Sequence, residues 1–172
     1  MFKTKDLVVI ALISAISYIL SQFVVFQMPA GGSITIYLVP ILVAAFNDNF
    51  KNCLFIGIIT AFLQAFIGGY VLNPIQVMFD YFIPVIVICL CGQINFFKGK
   101  DLINNLMGYV IACIIALLSY VCSGMLFYQT AFVASIIYNA TFFVPTIIIN
   151  LIIVLIINTQ LSKVYPNNKN IN

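Results

Sequence analysis

The sequence predicts an all-α integral membrane bundle of six transmembrane helices with both termini in the cytoplasm. Three observations predict it: a composition too apolar for water, breaks that divide the chain into six runs, and lysines that all fall on one side of those six. Of the 172 residues, 64% are hydrophobic and only 6% charged, where a soluble domain carries roughly a quarter charged. A hydrocarbon core of about 30 Å takes about 20 helical residues per crossing, so this length allows six crossings joined by short loops. A single domain, residues 1–172, is expected, with 1–6 a cytoplasmic N-terminus and 162–172 a polar cytoplasmic tail.

Clusters of Gly, Pro, Asn and Lys interrupt the apolar sequence and leave spans near 7–27, 34–47, 52–67, 74–95, 102–124 and 131–158. The first lacks a small-residue cleavage site and is followed by further spans, so it is expected to be retained in the protein and not removed as a signal peptide. The second and third are short for a full crossing. In the fourth, Pro74 suits a first helical turn, where its missing N–H costs nothing. Pro84 predicts a kink that frees the carbonyl of Asp80. The tail from Ser162, with its Asn and Lys residues and Pro166, is expected to fray.

Lys3 and Lys5 precede span one, Lys51 lies between two and three, Lys98 and Lys100 between four and five, and Lys163 and Lys169 after six. With six crossings all of these segments share a side, while the loops near 28–33, 68–73 and 125–130 hold no Lys. The positive-inside rule makes the lysine side cytoplasmic. The net charge of +3 contains no Arg and no basic patch, so nucleic acid is not an expected partner and the lipid bilayer is.

Chemistry is conspicuous by what is missing. There is no His, hence neither the commonest general base nor the commonest metal ligand. Cys89 and Cys91 are two apart and point to nearly opposite sides of a helix. With Cys53, Cys113 and Cys122 they are expected to be small hydrophobes. No P-loop, Gly-x-Ser-x-Gly elbow or His-Glu-x-x-His occurs. No catalytic residue, metal or cofactor is expected, and uphill movement of a solute would need energy from a partner.

One acid stands apart. Asp6, Asp48 and Asp101 accompany lysines in cytoplasmic segments, where solvated pairing explains them. Asp80 lies about two turns into span four, with no Lys in any span to pair with it. A carboxylate at that depth costs several kcal/mol, which makes it a functional-site candidate whose partner is a cationic ligand. The alternative is a protonated Asp bonded between helices. Asn73, Gln76 and Asp80 share a helical face, and Asn139 of span six lies at a similar depth. Ser135, Thr146 and Asn150 continue a polar stripe there, the last two read as interhelical glue. Tyr37, Tyr70, Tyr81, Tyr120, Tyr128, Tyr138, Phe127 and Phe132 gather near the outer side, either as an interfacial belt or as a cage for an organic cation. On span one, Ala11 and Ala15 form a small-xxx-small pair that lets another helix approach closely.

Met28-Pro29-Ala30-Gly31-Gly32-Ser33 before Pro40, Asn73-Pro74-Ile75-Gln76 with Asp80-Tyr81, and Tyr138-Asn139-Ala140-Thr141 with Pro145 together resemble the thiamine-specific substrate-binding subunits of energy-coupling factor transporters. The likeness covers nearly the whole chain. It implies a vitamin-capture subunit that binds from outside, with the loop between spans one and two as a lid. Energy would come from a module of two ATPases and a transmembrane coupling protein, docked on the face that holds Ala11 and Ala15. Residue by residue, the resemblance places Asp80 opposite the thiazolium cation, Tyr81 and Tyr70 on its rings, Gly124 and Tyr128 in the covering loop, and Asn139 on the pyrimidine. Gln76 and Tyr120 complete the expected binding set. Tyr120 stands where the family typically has His, Ala134 where Tyr is common, and Tyr128 where Trp is frequent. A thiamine precursor or analogue, or another vitamin, is the alternative ligand, and a ligand-free structural membrane protein the alternative class.

Overall fold

The computed structural model describes residues 2–28, 32–94, 96–99 and 101–164. Helix α1 (Thr4–Gln22) leads into two antiparallel strands, β1 (Val24–Gln27) and β2 (Ser33–Thr35), followed by α2 (Leu38–Asn47) and α3 (Phe50–Ile67). The fourth run is segmented into α4 (Pro74–Val77), a π-helical turn (Met78–Phe82), α5 (Ile83–Cys89) and a 3-10 turn (Cys91–Gln93). Two long helices, α6 (Asp101–Phe127) and α7 (Phe132–Val164), complete the chain's described part.

Among the described residues, five stretches are long and apolar enough to cross a membrane: Thr4–Gln22, Phe50–Ile67, Pro74–Gln93, Asp101–Phe127 and Phe132–Gln160. The remaining apolar helix, α2, has 10 residues, about 15 Å of helix and half a hydrocarbon core. It is the centre of the bundle, burying Leu38, Ile41, Leu42, Ala44, Ala45 and Phe46 and packing against α1, α3, α5 and α7. An element that is apolar all round belongs inside, and this one is wrapped by its neighbours.

The all-α expectation needs correction between the first two helices. Helix α1 stops at Gln22, short of residue 27, and α2 starts at Leu38, beyond residue 34. The chain between them pairs as a hairpin with Val24 opposite Thr35, Phe26 opposite Ile34 and Gln27 opposite Ser33, and a bulge between Val24 and Phe26. Val24, Val25 and Phe26 favour strands, and hydropathy alone does not separate an apolar strand from the last turn of an apolar helix. At the other end of the chain, α7 runs through Ser162 to Val164, where fraying was expected. Pro29, Ala30 and Gly31 of the Gly-Gly loop, Lys100, and the tail with Pro166 and Lys169 lie outside the described residues.

Away from the hairpin the bundle closes backbone against backbone. A Cβ on Gly108 of α6 would overlap the Cys91 carbonyl, and one on Gly92 would overlap that of Ala45. Gln93 donates through Nε2 to the carbonyls of Ala45 (3.2 Å) and Asp48 (3.0 Å). Asn104 accepts the N–H groups of Phe96 (3.1 Å) and Phe97 (2.8 Å) and donates to the Phe97 carbonyl at 2.7 Å. Cys53, Cys89, Cys91 and Cys113 are buried thiols, whereas Cys122 is exposed. Cys89 and Cys91 are both inside because the helix ends between them and tightens into the 3-10 turn.

Candidate functional site

At the hairpin end the helices part around a cavity of about 970 Å³, lined from α1, both strands, α3, the π-turn, α6 and α7. The volume lies at the upper end of the range for small-molecule pockets. Asp80 is the one charged side chain among its described lining residues.

Asp80 is positioned by a local conflict in the fourth run. Pro84 has no N–H and its ring crowds the carbonyl four residues back, that of Asp80. The helix responds by widening: the N–H of Ile83 bonds the Met78 carbonyl, five residues back. In this wider register the carbonyl facing the missing N–H is that of Phe79, and the Ser119 hydroxyl of α6 donates to it at 2.7 Å. In place of the expected kink that frees the Asp80 carbonyl stands a π-turn, a frequent device at functional sites, with Asp80 and Tyr81 within it and the Phe79 carbonyl as the one affected. Just before it, Asn73 caps the helix, its Oδ1 accepting the N–H groups of Ile75 and Gln76 at 2.9 Å each, with Pro74 in the first turn as expected.

The carboxylate is held by neutral donors. Gln76 Nε2 donates to Asp80 Oδ2 at 2.5 Å, and the Tyr128 hydroxyl lies 3.5 Å from the same oxygen. Burial first, and the Asp80 charge second, push the Tyr128 hydroxyl up to about 12, so at neutral pH it is a protonated donor. The Tyr81 hydroxyl accepts the Tyr70 N–H at 2.8 Å, fastening the 68–73 loop over the π-turn.

Across the cavity, Tyr37 and Tyr120 share the lining, and the Tyr120 ring meets Phe143 edge-on at 5.4 Å. Asn139 of α7 is buried and donates through Nδ2 to the Ser135 carbonyl (2.9 Å) and hydroxyl (3.3 Å). Gly124 lines the wall where α6 meets α7, and a Cβ there would overlap the Ser135 hydroxyl. The hairpin is fastened from α7: the Tyr138 hydroxyl accepts the Gly32 N–H at 2.8 Å, and Asn150 Nδ2 donates to the Thr35 carbonyl at 2.8 Å.

Of the residues singled out in the sequence, Asp80, Tyr81, Tyr70, Tyr120, Gly124, Tyr128 and Asn139 line this cavity, joined by Tyr37, Tyr138, Ser135 and Thr146. Gln76 does not: it is fully buried behind Asp80. Phe127 and Phe132 are also off the lining, Phe127 meeting Phe79 at 6.4 Å and Phe132 being exposed. Asn150 and Thr146 were expected to join helices; Asn150 instead joins α7 to strand β2, and Thr146 bonds the Phe142 carbonyl of its own helix and reaches the cavity wall. Ser21, Gln22 and Gln64 line the cavity without having been singled out; polar groups closing an apolar run were the available signal. Ser119, a hydroxyl in mid-span, was missed because its partner exists only in the π register. Ala11 and Ala15 are exposed on α1, outside the stripe of buried Ile10, Ser14 and Ser17.

Comparison with known proteins bears on this arrangement. The family model described as thiamine transporter protein (Thia_YuaJ) matches residues 7–166. A protein named thiamine transporter ThiT from Bacillus subtilis (strain 168) is 26% identical over 182 residues, covering 95% of each chain. A solved structure of ThiT from Listeria monocytogenes superposes with a TM-score of 0.68 at 20% identity, over 95% of this chain and 96% of that one, so the fold is shared.

Proposed function

The chain belongs to the thiamine transporter protein family, a family of multi-pass membrane transporters and not of enzymes, and we propose that it is the substrate-capture subunit of an energy-coupling factor importer. In this reading thiamine enters the 970 Å³ cavity from outside a bacterial plasma membrane. Its permanent thiazolium charge sits against Asp80, flanked by Tyr81 and Tyr70, and its aminopyrimidine donates to Asn139. Tyr120, Gly124 and Tyr128 complete the walls. A partner module of two ATPases and a coupling protein, docked on the Ala11–Ala15 face, supplies the energy.

One observation carries the reading: a carboxylate in an aromatic, otherwise uncharged cavity, with neutral hydrogen-bond donors as its protein partners. A fixed anion of this kind is worth its desolvation only if a cation completes it, and tyrosine faces add attraction for an organic cation. Asn139 supports the pyrimidine assignment because its bonds to Ser135 occupy Nδ2, leaving Oδ1 to accept from an exocyclic amine. Both termini are cytoplasmic in this proposal, the short α2 completing a sixth passage together with the strand before it.

Sealed, right-side-out membrane vesicles provide the test. Labelled thiamine should bind them at once without ATP. Binding that appears only after permeabilisation would overturn the sidedness, and absence of binding in both states would overturn the reading. If an uncharged hydroxymethyl-aminopyrimidine competes as strongly as thiamine, a precursor is the ligand.

A further inference from the structure

Gln76 is fully buried, and its amide is shared among three segments that meet at the cavity mouth. Oε1 accepts the Leu72 N–H at 3.0 Å, and Nε2 lies 3.1 Å from the Tyr70 carbonyl, 2.5 Å from Asp80 Oδ2 and 3.4 Å from the Tyr128 hydroxyl. The described protein contacts of the Asp80 carboxylate all fall on Oδ2. In the cation-binding reading this leaves Oδ1 for the ligand.

We propose that Gln76 is the positioning residue of the cation site: a side chain that never touches the ligand but fixes the Asp80 carboxylate and ties it to the 68–73 and 128–131 loops. The proposal rests on the cation-binding reading above. Its physical basis is the geometry of an amide. Nε2 presents two N–H groups, one for the Tyr70 carbonyl and one for the carboxylate, while Oε1 satisfies a backbone N–H that would otherwise be orphaned at a loop. A neutral donor holds an anion without cancelling its charge, which a lysine or arginine in its place would do. Fixing Oδ2 on the protein leaves the carboxylate one orientation, so a cation meets a preorganised partner and the cost of ordering is met on folding and not on binding. Asn73, through its bond to the Gln76 N–H, sets the start of this arrangement.

The test compares two ligands of one shape: thiamine, and its uncharged deaza analogue in which carbon replaces the thiazolium nitrogen. Gln76→Met keeps the side-chain length and removes both amide functions. Thiamine affinity should fall at least tenfold, while affinity for the uncharged analogue stays within about threefold, and Gln76→Leu should behave the same way. In an Asp80→Asn background, Gln76→Met should then change thiamine binding by less than about threefold, since the charge it positions is gone. Parallel loss of both ligands in the two variants would make Gln76 a purely structural residue and overturn the proposal. Unchanged thiamine affinity, or an undiminished effect in the Asp80→Asn background, would overturn it too. If Asp80→Asn alone leaves thiamine binding intact, the cation-site reading itself fails, which is a separate result.

Discussion

The two ends of this bundle are built from nearly the same apolar alphabet and solve opposite problems. At the end away from the hairpin, Gly92 and Gly108 let backbones touch, and the side chains of Gln93 and Asn104 bond to main chain. A smaller cleft of about 340 Å³ remains beside those contacts, lined mainly by apolar side chains. At the hairpin end, space is kept open, and polar side chains also bond one another around it: Gln76 to Asp80 and Asn139 to Ser135. The difference sets the proposed site in the half where polar side chains bond one another beside an open space.

Gly108→Val strikes the closed end. The new side chain meets the Cys91 backbone, which cannot yield like the tip of a flexible side chain, so a loss of more than about 3 kcal/mol is expected. Thermal unfolding in detergent should show a large drop, with thiamine binding lost only as the folded fraction is lost. A variant of normal stability would mean that α6 and the 3-10 turn have slack, and that the two ends are less distinct than described.

Ser119→Ala removes the donor that satisfies the Phe79 carbonyl in the π-turn. Hydrogen bonds of this type in membranes are worth about 1 kcal/mol, or roughly fivefold in an equilibrium constant. Stability should fall modestly and thiamine affinity by several-fold, because Asp80 sits in the same turn. If affinity is unmoved, Pro84 alone holds the turn.

The smallest effect on binding is expected from Ala11→Trp with Ala15→Trp. Both alanines are exposed on α1 and lie off the cavity lining, so purified protein should bind thiamine as before. Uptake by cells should nevertheless collapse, because bulk there keeps a coupling helix from packing closely. Normal uptake would remove this face as the docking site. Loss of binding would place the pair in the protein's own packing.

Much of this was legible in the sequence. Spans four to six, the N-terminal role of Pro74 and the pairing of Asp80 with Asn139 across one space follow from hydropathy, proline chemistry and depth. The hairpin was not legible, because Val24 to Phe26 are as apolar as the helix before them and the choice of strand depends on partners further along the chain, Thr35 and Ile34. Nor was the burial of Gln76: spacing put it on the face of Asp80, but the π-turn, which sequence could suggest only as a kink, changes which residue of that face meets the cavity. Ser119 was invisible for the same reason.

The central claim is that Asp80 captures a cation, and equilibrium titration of thiamine into purified protein against its Asp80→Asn variant tests it most directly. Removing one partner of a desolvated charge pair costs on the order of 2–5 kcal/mol. The account therefore predicts an affinity at least thirtyfold weaker (roughly 2 kcal/mol), without loss of thermal stability in the ligand-free state. Equal affinity in the two proteins would contradict it.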